Sequence, residues 1–393
     1  MKRLSQDSTL WKNMAMTRDR KSEPASAAPE AVAEKAPAKR APAKKAPVKK
    51  AVTLKEVAKH LGLSPATVSV VLNRSPVADS IPRETQDRVF AAARELKYRP
   101  NHLARSLRSR RTRTVGVLLP EVVEPYATGV LAGLESHLIH KGYFYLVASH
   151  RSEQRLLDEY LDLMRTRLVE GMVLIATALE QPPSVPSVVV AGHQKFEGVT
   201  NVVLDHDRAA DLALRHLLEL GHRKIAFFKG QEGNADTADR WRGIQQCAAT
   251  HGIEIRDELT FQLAGEPGDE ISRTEQAFRQ GEQYGRRLLE RRDEFTAVFA
   301  FNDLSAIGVI QALVSGGLRV PEDVSVVGFD DIVNAQYYNP GLTTVRQPLH
   351  EMGETAGRIL LERLTGEEPA MESAAVVTIE PELVVRDSTA PVR

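Results

Sequence analysis

The chain has a single cysteine, Cys247, among its 393 residues. An internal disulfide is therefore excluded, and no cysteine cluster can hold zinc, which fits a reducing cytoplasm. Cys247 reads as a small buried apolar residue rather than a nucleophile. Long apolar runs are also missing. None approaches the roughly 18 residues of a membrane span, and the N-terminus lacks the apolar core of a secretory signal. A cytoplasmic protein without membrane contact is expected. There is no Gly-rich phosphate loop, no nucleophile elbow, no Ser/His/Asp arrangement and no paired carboxylates, so neither catalysis nor a cofactor is expected. His137 and His140, three apart on a helical stretch, could share a metal face. No third ligand is evident, and a solvated face is the simpler account.

Net charge is also missing overall, with 52 Lys and Arg against 52 Asp and Glu. The balance hides a division: residues 1–113 hold about 26 basic and about 10 acidic side chains, roughly +16, which leaves the remainder near −16. The front of the chain is built to meet a polyanion. Residues 1–50 are low in complexity and end in a Lys/Ala/Pro repeat from Ala36 to Lys50. Regularly spaced proline and few large apolar side chains predict disorder. The repeat resembles the tails of linker-histone-like proteins. It is either a sequence-independent phosphate binder, weakened by salt, or a solvated leader.

Residues 51–99 carry dense helix punctuation. Thr53 with Glu56 three residues later is a capping box. Leu54, Val57, Ala58 and Leu61 then form one apolar stripe, and Gly62 tolerates a left-handed stop. Ser64-Pro65 starts a second helix, with proline where its missing N–H is no loss. Val68, Val71 and Leu72 face inward there, leaving Pro65, Ala66, Thr67, Ser69, Val70 and Asn73 outside. After a loop from Arg74 to Ile81, a third helix is expected from Pro82 to Tyr98, with Val89, Ala92, Ala93 and Leu96 inward and Pro100 forbidding continuation. Two short helices joined by a tight turn form a helix-turn-helix pattern; any small three-helix bundle has the same periodicity. Asn101 caps a short basic stretch through Ala104 and Leu107. An apolar wedge flanked by arginines suits minor-groove insertion.

From Thr114 onward, short apolar runs alternate with amphipathic stretches, which predicts parallel α/β architecture in two similar halves with a cleft between them. Strands are expected at Val115–Leu119, Phe144–Ala148, Met172–Ala176, Val188–Ala191, Val202–Leu204, Ile225–Phe228, Val298–Phe301 and Ser325–Phe329. One of the later helices is expected at Gly281–Arg291. Ligands of open α/β sheets bind beyond the carboxyl ends of strands. Tyr126, Asn302 and Asp330 occupy such positions.

These motifs carry a resemblance. Thr53-Leu54-Lys55-Glu56-Val57-Ala58, Ala66-Thr67-Val68-Ser69, Leu72-Asn73, Tyr98-Arg99-Pro100-Asn101 and Ala104-Arg105-Ser106-Leu107 resemble the lactose-repressor (LacI-type) family of transcription regulators. Glu124-Pro125-Tyr126, Gly221-His222-Arg223-Lys224-Ile225, Phe301-Asn302-Asp303 and Gly328-Phe329-Asp330-Asp331 extend it through the rear of the chain. The resemblance implies an all-α helix-turn-helix headpiece at 51–99, a hinge helix and linker at 100–113, and a two-lobed, doubly wound effector domain at 114–393 like periplasmic sugar-binding proteins. Lobe 1 would span about 114–206 and 347–373, lobe 2 about 207–346 and 374–388, with crossings near His206, Arg346 and Ser373. The strands from Val376 to Val385 would finish lobe 2.

The same resemblance implies a homodimer that reads a pseudopalindromic double-stranded operator and answers to a small-molecule effector. Thr53, Leu54, Ser64, Pro65, Ala66, Thr67, Ser69, Val70, Asn73, Asn101, Ala104 and Leu107 would meet DNA, Leu107 as the intercalating wedge. Val70 departs from the polar reader usual in the family and could meet a thymine methyl. Tyr126, Arg240, Phe278, Asn302 and Asp330 would meet the effector. A carboxylate opposite a guanidinium suits a polyol, whose hydroxyls both donate and accept. Tyr126, Phe278 and Trp241 could stack on a sugar's apolar face, although Trp241 equally suits a core, and 263–277 reads as a polar insertion. Other readings remain: a purine-like effector, a nucleoid-architectural protein dominated by the basic tail, and a sugar-binding or sugar-processing module that carries a headpiece.

Overall fold

Thr53 opens the first helix, α1 (Leu54–Leu61), through a closed capping box. The Glu56 amide donates to Thr53 Oγ1 over 3.3 Å, and the Thr53 amide donates to Glu56 Oε2 over 2.6 Å. These satisfy two helix-start donors that would otherwise lack partners. Gly62 ends the helix at φ 66°, and Ser64, accepting from the Thr67 amide at 3.0 Å, starts α2 (Pro65–Leu72). A 3₁₀ turn, Pro76–Ser80, interrupts the expected loop, and α3 runs Arg83–Glu95, shorter than expected because Lys97 turns left-handed at φ 50°. Val57, Ala58, Val68, Val71, Val89 and Ala92 form the buried core, with Leu72, Ala93 and Leu96 only half-buried.

The computed structural model describes residues 52–73, 75–98, 111–232, 234–264, 272–366 and 375–393. The readings of the 1–50 tail and of Asn101, Ala104 and Leu107 fall outside the described residues. The chain divides into two compact units, Met1–Arg99 and Pro100–Arg393.

The second unit holds two six-stranded sheets. The first combines β1 (Thr114–Leu119), β2 (Phe144–Ser149), β3 (Gly171–Ile175), β4 (Ser187–Val190), β5 (Val199–Leu204) and β11 (Ala375–Ile379), in the order β11-β5-β4-β3-β1-β2. All of its pairings are parallel. The helices α4 (Pro125–His140), α5 (Gln154–Thr166) and α11 (Leu349–Thr365) belong to this lobe. The second sheet runs β12-β10-β9-β8-β6-β7. It comprises β6 (Ile225–Lys229), β7 (Thr260–Gln262), β8 (Ala297–Phe299), β9 (Ser325–Asp330), β10 (Thr343–Arg346) and β12 (Glu382–Val384), the last antiparallel to β10. Its helices are α6 (His206–Glu219), α7 (Thr237–His251), α8 (Arg273–Leu289), α9 (Asp303–Ser315) and α10 (Val333–Tyr337). Strands buried on both faces explain the continuous Val, Ile and Phe runs.

Two expectations are corrected. The run from Val376 to Val385 does not finish the second lobe as one piece. Its first half, β11, pairs in register with β5, Ala375 opposite Thr200 through Ile379 opposite Leu204, and the third crossing falls at Glu380-Pro381 instead of Ser373. Proline cannot donate to a sheet ladder, so Pro381 divides the run between two sheets. The helix expected from Gly281 begins eight residues earlier, because Ser272 caps it by accepting from the Glu275 amide at 3.2 Å. The supposed insertion thus ends inside α8.

Each lobe has one helix crossing at backbone contact. A Cβ on Gly133 of α4 would lie 1.9 Å from His350 O, and one on Gly353 of α11 would lie 2.0 Å from Val130 O. In the other lobe, α8 and α9 repeat the arrangement at Gly281 and Gly308, where an added Cβ would lie 2.2 Å from Ser305 O and Phe278 O respectively.

Candidate functional site

The carboxyl ends of the strands face a cleft between the lobes. Ala176 after β3, Ala191 after β4, and Asp330 and Asp331 at the end of β9 have φ of 47°, 57°, 107° and 55°. Non-glycine residues rarely adopt such angles, and the strain collects at sites. The cleft is walled by residues of both lobes, Glu124 and Tyr126 from the first and Arg240 and Asp330 from the second.

Four of the five sequence-nominated residues line it: Tyr126, Arg240, Asn302 and Asp330. Arg240 reaches in from α7, stacked 3.7 Å from the Phe329 ring and 4.4 Å from the Phe301 ring, and donates to Phe301 O at 2.6 Å. Its second nitrogen lies 3.5 Å from Asp236 Oδ2. Asp330 accepts from Gln347 Nε2 at 2.7 Å; burial pushes its carboxyl up to about 7 against the pull of Arg240. Asn302 caps α9, its Oδ1 accepting from the Ser305 amide at 2.9 Å. Neighbouring Asp303 is fully buried, accepting from Thr344 Oγ1 at 2.6 Å and the Ile332 amide at 2.8 Å.

Phe278 does not join them. It packs on the second lobe's core and lines an outer groove with Glu275, Arg279 and Glu282. Trp241 is half-buried against the second lobe's core, edge-on to Phe227 at 6.0 Å. The ring that does line the cleft with Tyr126 is Phe301, which reads in sequence as the end of a strand. Sequence reasoning also missed Glu124, Gln231, Asn234, Asp236, Arg273 and Thr274. Glu124 stands two residues before the nominated Tyr126; Gln231, Asn234 and Asp236 precede α7, and Arg273 and Thr274 open α8.

Several buried polar atoms here have no hydrogen-bond partner among the described residues: Glu124 Oε2, Tyr126 Oη, Arg240 Nε and Thr274 Oγ1. Such atoms are costly unless something else satisfies them. Burial raises the pKa of Glu124, and burial together with the Asp236 and Asp330 carboxylates raises that of Tyr126. The lobes touch across the cleft. The Arg273 amide donates to Glu121 Oε2 at 3.0 Å and its guanidinium to Ser152 Oγ at 2.6 Å. The linker's last residues are fastened to the first lobe: Arg111 donates to Glu170 Oε2 at 2.9 Å and Tyr143 Oη at 2.7 Å, and the Arg113 amide to Glu170 Oε1 at 2.7 Å.

In the headpiece, Thr53, Ser64, Pro65, Ala66 and Asn73 are exposed, while Leu54, Thr67, Ser69 and Val70 are half-exposed. The outer polar groups of α2 are preorganised: Ser64 and Thr67 hydroxyls lie 2.8 Å apart, and Asn73 Nδ2 donates to Ser69 O at 2.7 Å. No helix among the described residues is long and apolar enough to cross a membrane.

Comparison with known proteins agrees with this architecture. Residues 53–101 match the model of bacterial regulatory proteins of the lacI family, and 214–389 match a periplasmic binding protein-like domain. The transcriptional repressor PurR of Erwinia tasmaniensis is 34% identical over 348 residues, covering 86% of this chain and 97% of the relative. A transcriptional regulator CelR–cellobiose complex superposes with a TM-score of 0.61 at 30% identity, covering 86% of this chain and 99% of that one. The lac repressor dimer bound to operator and the anti-inducer ONPF superposes with a TM-score of 0.74 at 25% identity, covering 87% of this chain and 100% of that one. With headpiece, two-lobed domain and near full-length relatives in agreement, the chain belongs to the LacI family of bacterial regulatory proteins.

Proposed function

We propose that this effector-controlled DNA-binding regulator is a homodimeric repressor whose effector is a neutral polyol of the saccharide class. The observation that carries this reading is the set of unpartnered buried atoms converging on the cleft: Glu124 Oε2, Tyr126 Oη, Arg240 Nε and Thr274 Oγ1. They mix acceptors with donors, and a sugar hydroxyl can serve either. Asp330 and Asn302 supply further polar contacts, and Tyr126 and Phe301 provide limited apolar area. A purine fits less well. One face of Phe301 is already covered by the Arg240 guanidinium, and Phe278 lies outside the cleft. The CelR–cellobiose neighbour supports a saccharide class.

A ligand held jointly by Glu124 and Tyr126 of one lobe and Arg240 and Asp330 of the other fixes the angle between lobes. That angle acts on the linker through Arg111–Glu170, and hence on operator affinity, with a coupling of about 1–3 kcal/mol typical of such systems. Titration calorimetry with monosaccharides, disaccharides and nucleobases tests the effector class. Saccharide binding that weakens in Asp330→Asn supports the reading; tight nucleobase binding without saccharide binding refutes it. Selection of random duplexes at physiological salt tests the operator, with enrichment of a pseudopalindrome expected.

A further inference from the structure

Beside the cleft, three metal-ligating side chains from separate elements converge. His193 follows β4 in the first lobe, His206 opens α6 at the crossing, and Asp236 caps α7 in the second lobe. One ligand atom from each lies within 4.8 Å of the others. His193 Nε2 is 2.7 Å and His206 Nε2 is 3.3 Å from the same oxygen, Asp236 Oδ1. His206 is buried, yet neither ring nitrogen makes a hydrogen bond of proper geometry, even the one aimed at Asp236.

We propose that His193, His206 and Asp236 form a site for a divalent transition metal ion, Zn²⁺ or a similar borderline cation, that clips the two lobes together. Two imidazoles and a carboxylate are a ligand set for such ions, and three protein ligands leave one position open. In a tetrahedral shell with bonds of about 2.0–2.2 Å, ligand atoms stand about 3.4 Å apart. The Asp236–His206 separation already matches, and His193 needs to withdraw by about 0.7 Å. The surroundings also fit. Asp239 Oδ2 lies 3.1 Å from His193 Nδ1, an outer carboxylate that fixes the tautomer with Nε2 free to ligate. Arg240 faces the other Asp236 oxygen at 3.5 Å, which leaves Oδ1 as the ligating atom.

Another cluster, Asp211, Cys247 and His251, lies within the same distance limit. It is already engaged, with Asp211 bound by Arg215 at 2.9 Å and burial pushing the Cys247 thiol up to about 11.

The test uses the full chain, freed of metal with a chelator and titrated with Co²⁺, whose visible bands report coordination. One equivalent per chain is expected, without thiolate charge transfer, displaceable by Zn²⁺. His193→Gln and His206→Gln should each weaken binding at least about tenfold, while Cys247→Ser leaves it unchanged. Zn²⁺ should raise the melting temperature of the unaltered chain but not of the two histidine variants. Circular dichroism separates misfolding from ligand loss; if His206→Gln does not fold, His193→Gln at its half-exposed position decides. The proposal is overturned by unaltered Co²⁺ binding in a folded His193→Gln chain, by a thiolate band lost in Cys247→Ser, or by no saturable binding up to about 1 mM.

Discussion

Gln347, at the second crossing between lobes, donates its amide hydrogen to Asp330 Oδ1 over 2.7 Å, so the acid at the cleft's centre is held by the hinge itself. Burial raises the Asp330 carboxyl to about 7. An effector whose hydroxyls donate to the charged form lowers that pKa on binding, so affinity must grow with pH. Between pH 6 and 8 a gain of about tenfold is expected, flattening above, because the ionised fraction controls competent binding. Without ligand the sign reverses: a raised acid favours the folded state at low pH, and that contribution is lost as pH rises from about 4 to 7. Calorimetric titration across pH checks the first, with Asp330→Asn giving a flat, weaker profile.

Arg240→Ala removes a buried guanidinium that binds Phe301 O and faces Asp236. The stranded carboxylate and carbonyl should cost about 3–5 kcal/mol in a urea melt, with effector binding lost. Arg240→Lys keeps charge but not the planar stack on Phe329 and should recover only part of either.

Gly133→Ala forces a methyl to 1.9 Å from His350 O, and only separation of α4 from α11 relieves it. A loss of about 1–3 kcal/mol is expected. Gly252→Ala has open space around its Cβ but sits at φ 65°, and should cost about 1 kcal/mol through backbone conformation alone. Comparing the two melts checks packing against conformation.

Glu170→Gln weakens the tie of Arg111 and the Arg113 amide to the first lobe. Saccharide affinity should stay the same while the effector-dependent change in operator affinity shrinks. Equal coupling in both proteins, measured by operator titration with and without sugar, contradicts that route.

Val70→Arg places a guanidinium on the outer side of α2. Selection of random duplexes should then enrich guanine at one position per half-site, and the salt dependence should not steepen by more than about one ion. An unchanged consensus means that Val70 does not meet base edges.

Local chemistry was the legible part of the sequence. Thr53 with Glu56, Ser64 with Pro65, and Gly62 specify helix ends within a few residues, and the alternation after Thr114 announces two parallel sheets. Ser272 with Glu275 carried the same kind of signal for α8, obscured by the polar stretch before it. Tyr126, Arg240, Asn302 and Asp330 were found through strand ends and family motifs. Asp236, at the cap of α7, and Arg273 and Thr274, in the first turn of α8, were not, since their roles exist only once the two lobes meet. Phe278 was misplaced because helical phase decides which way an aromatic ring faces. Pro381 marked the third crossing, but an apolar run on either side of it concealed the change of sheet.

The crossings themselves carry a last consequence. The Asp205 amide binds Ile379 O at 3.0 Å, and Arg346 meets Glu382 at 2.8 Å, so the three straps lie side by side. Two of them contain proline, Pro348 and Pro381, whose φ is fixed. Bodies joined by one thread can tumble, whereas bodies joined by three adjacent stiff straps swing along one arc. With the helix pairs locked at Gly133 and Gly281, each lobe travels that arc as a solid. The contents of the cleft are thereby reduced to a single number, the swing angle, and chemically different molecules that prop the lobes equally far apart would deliver the same message.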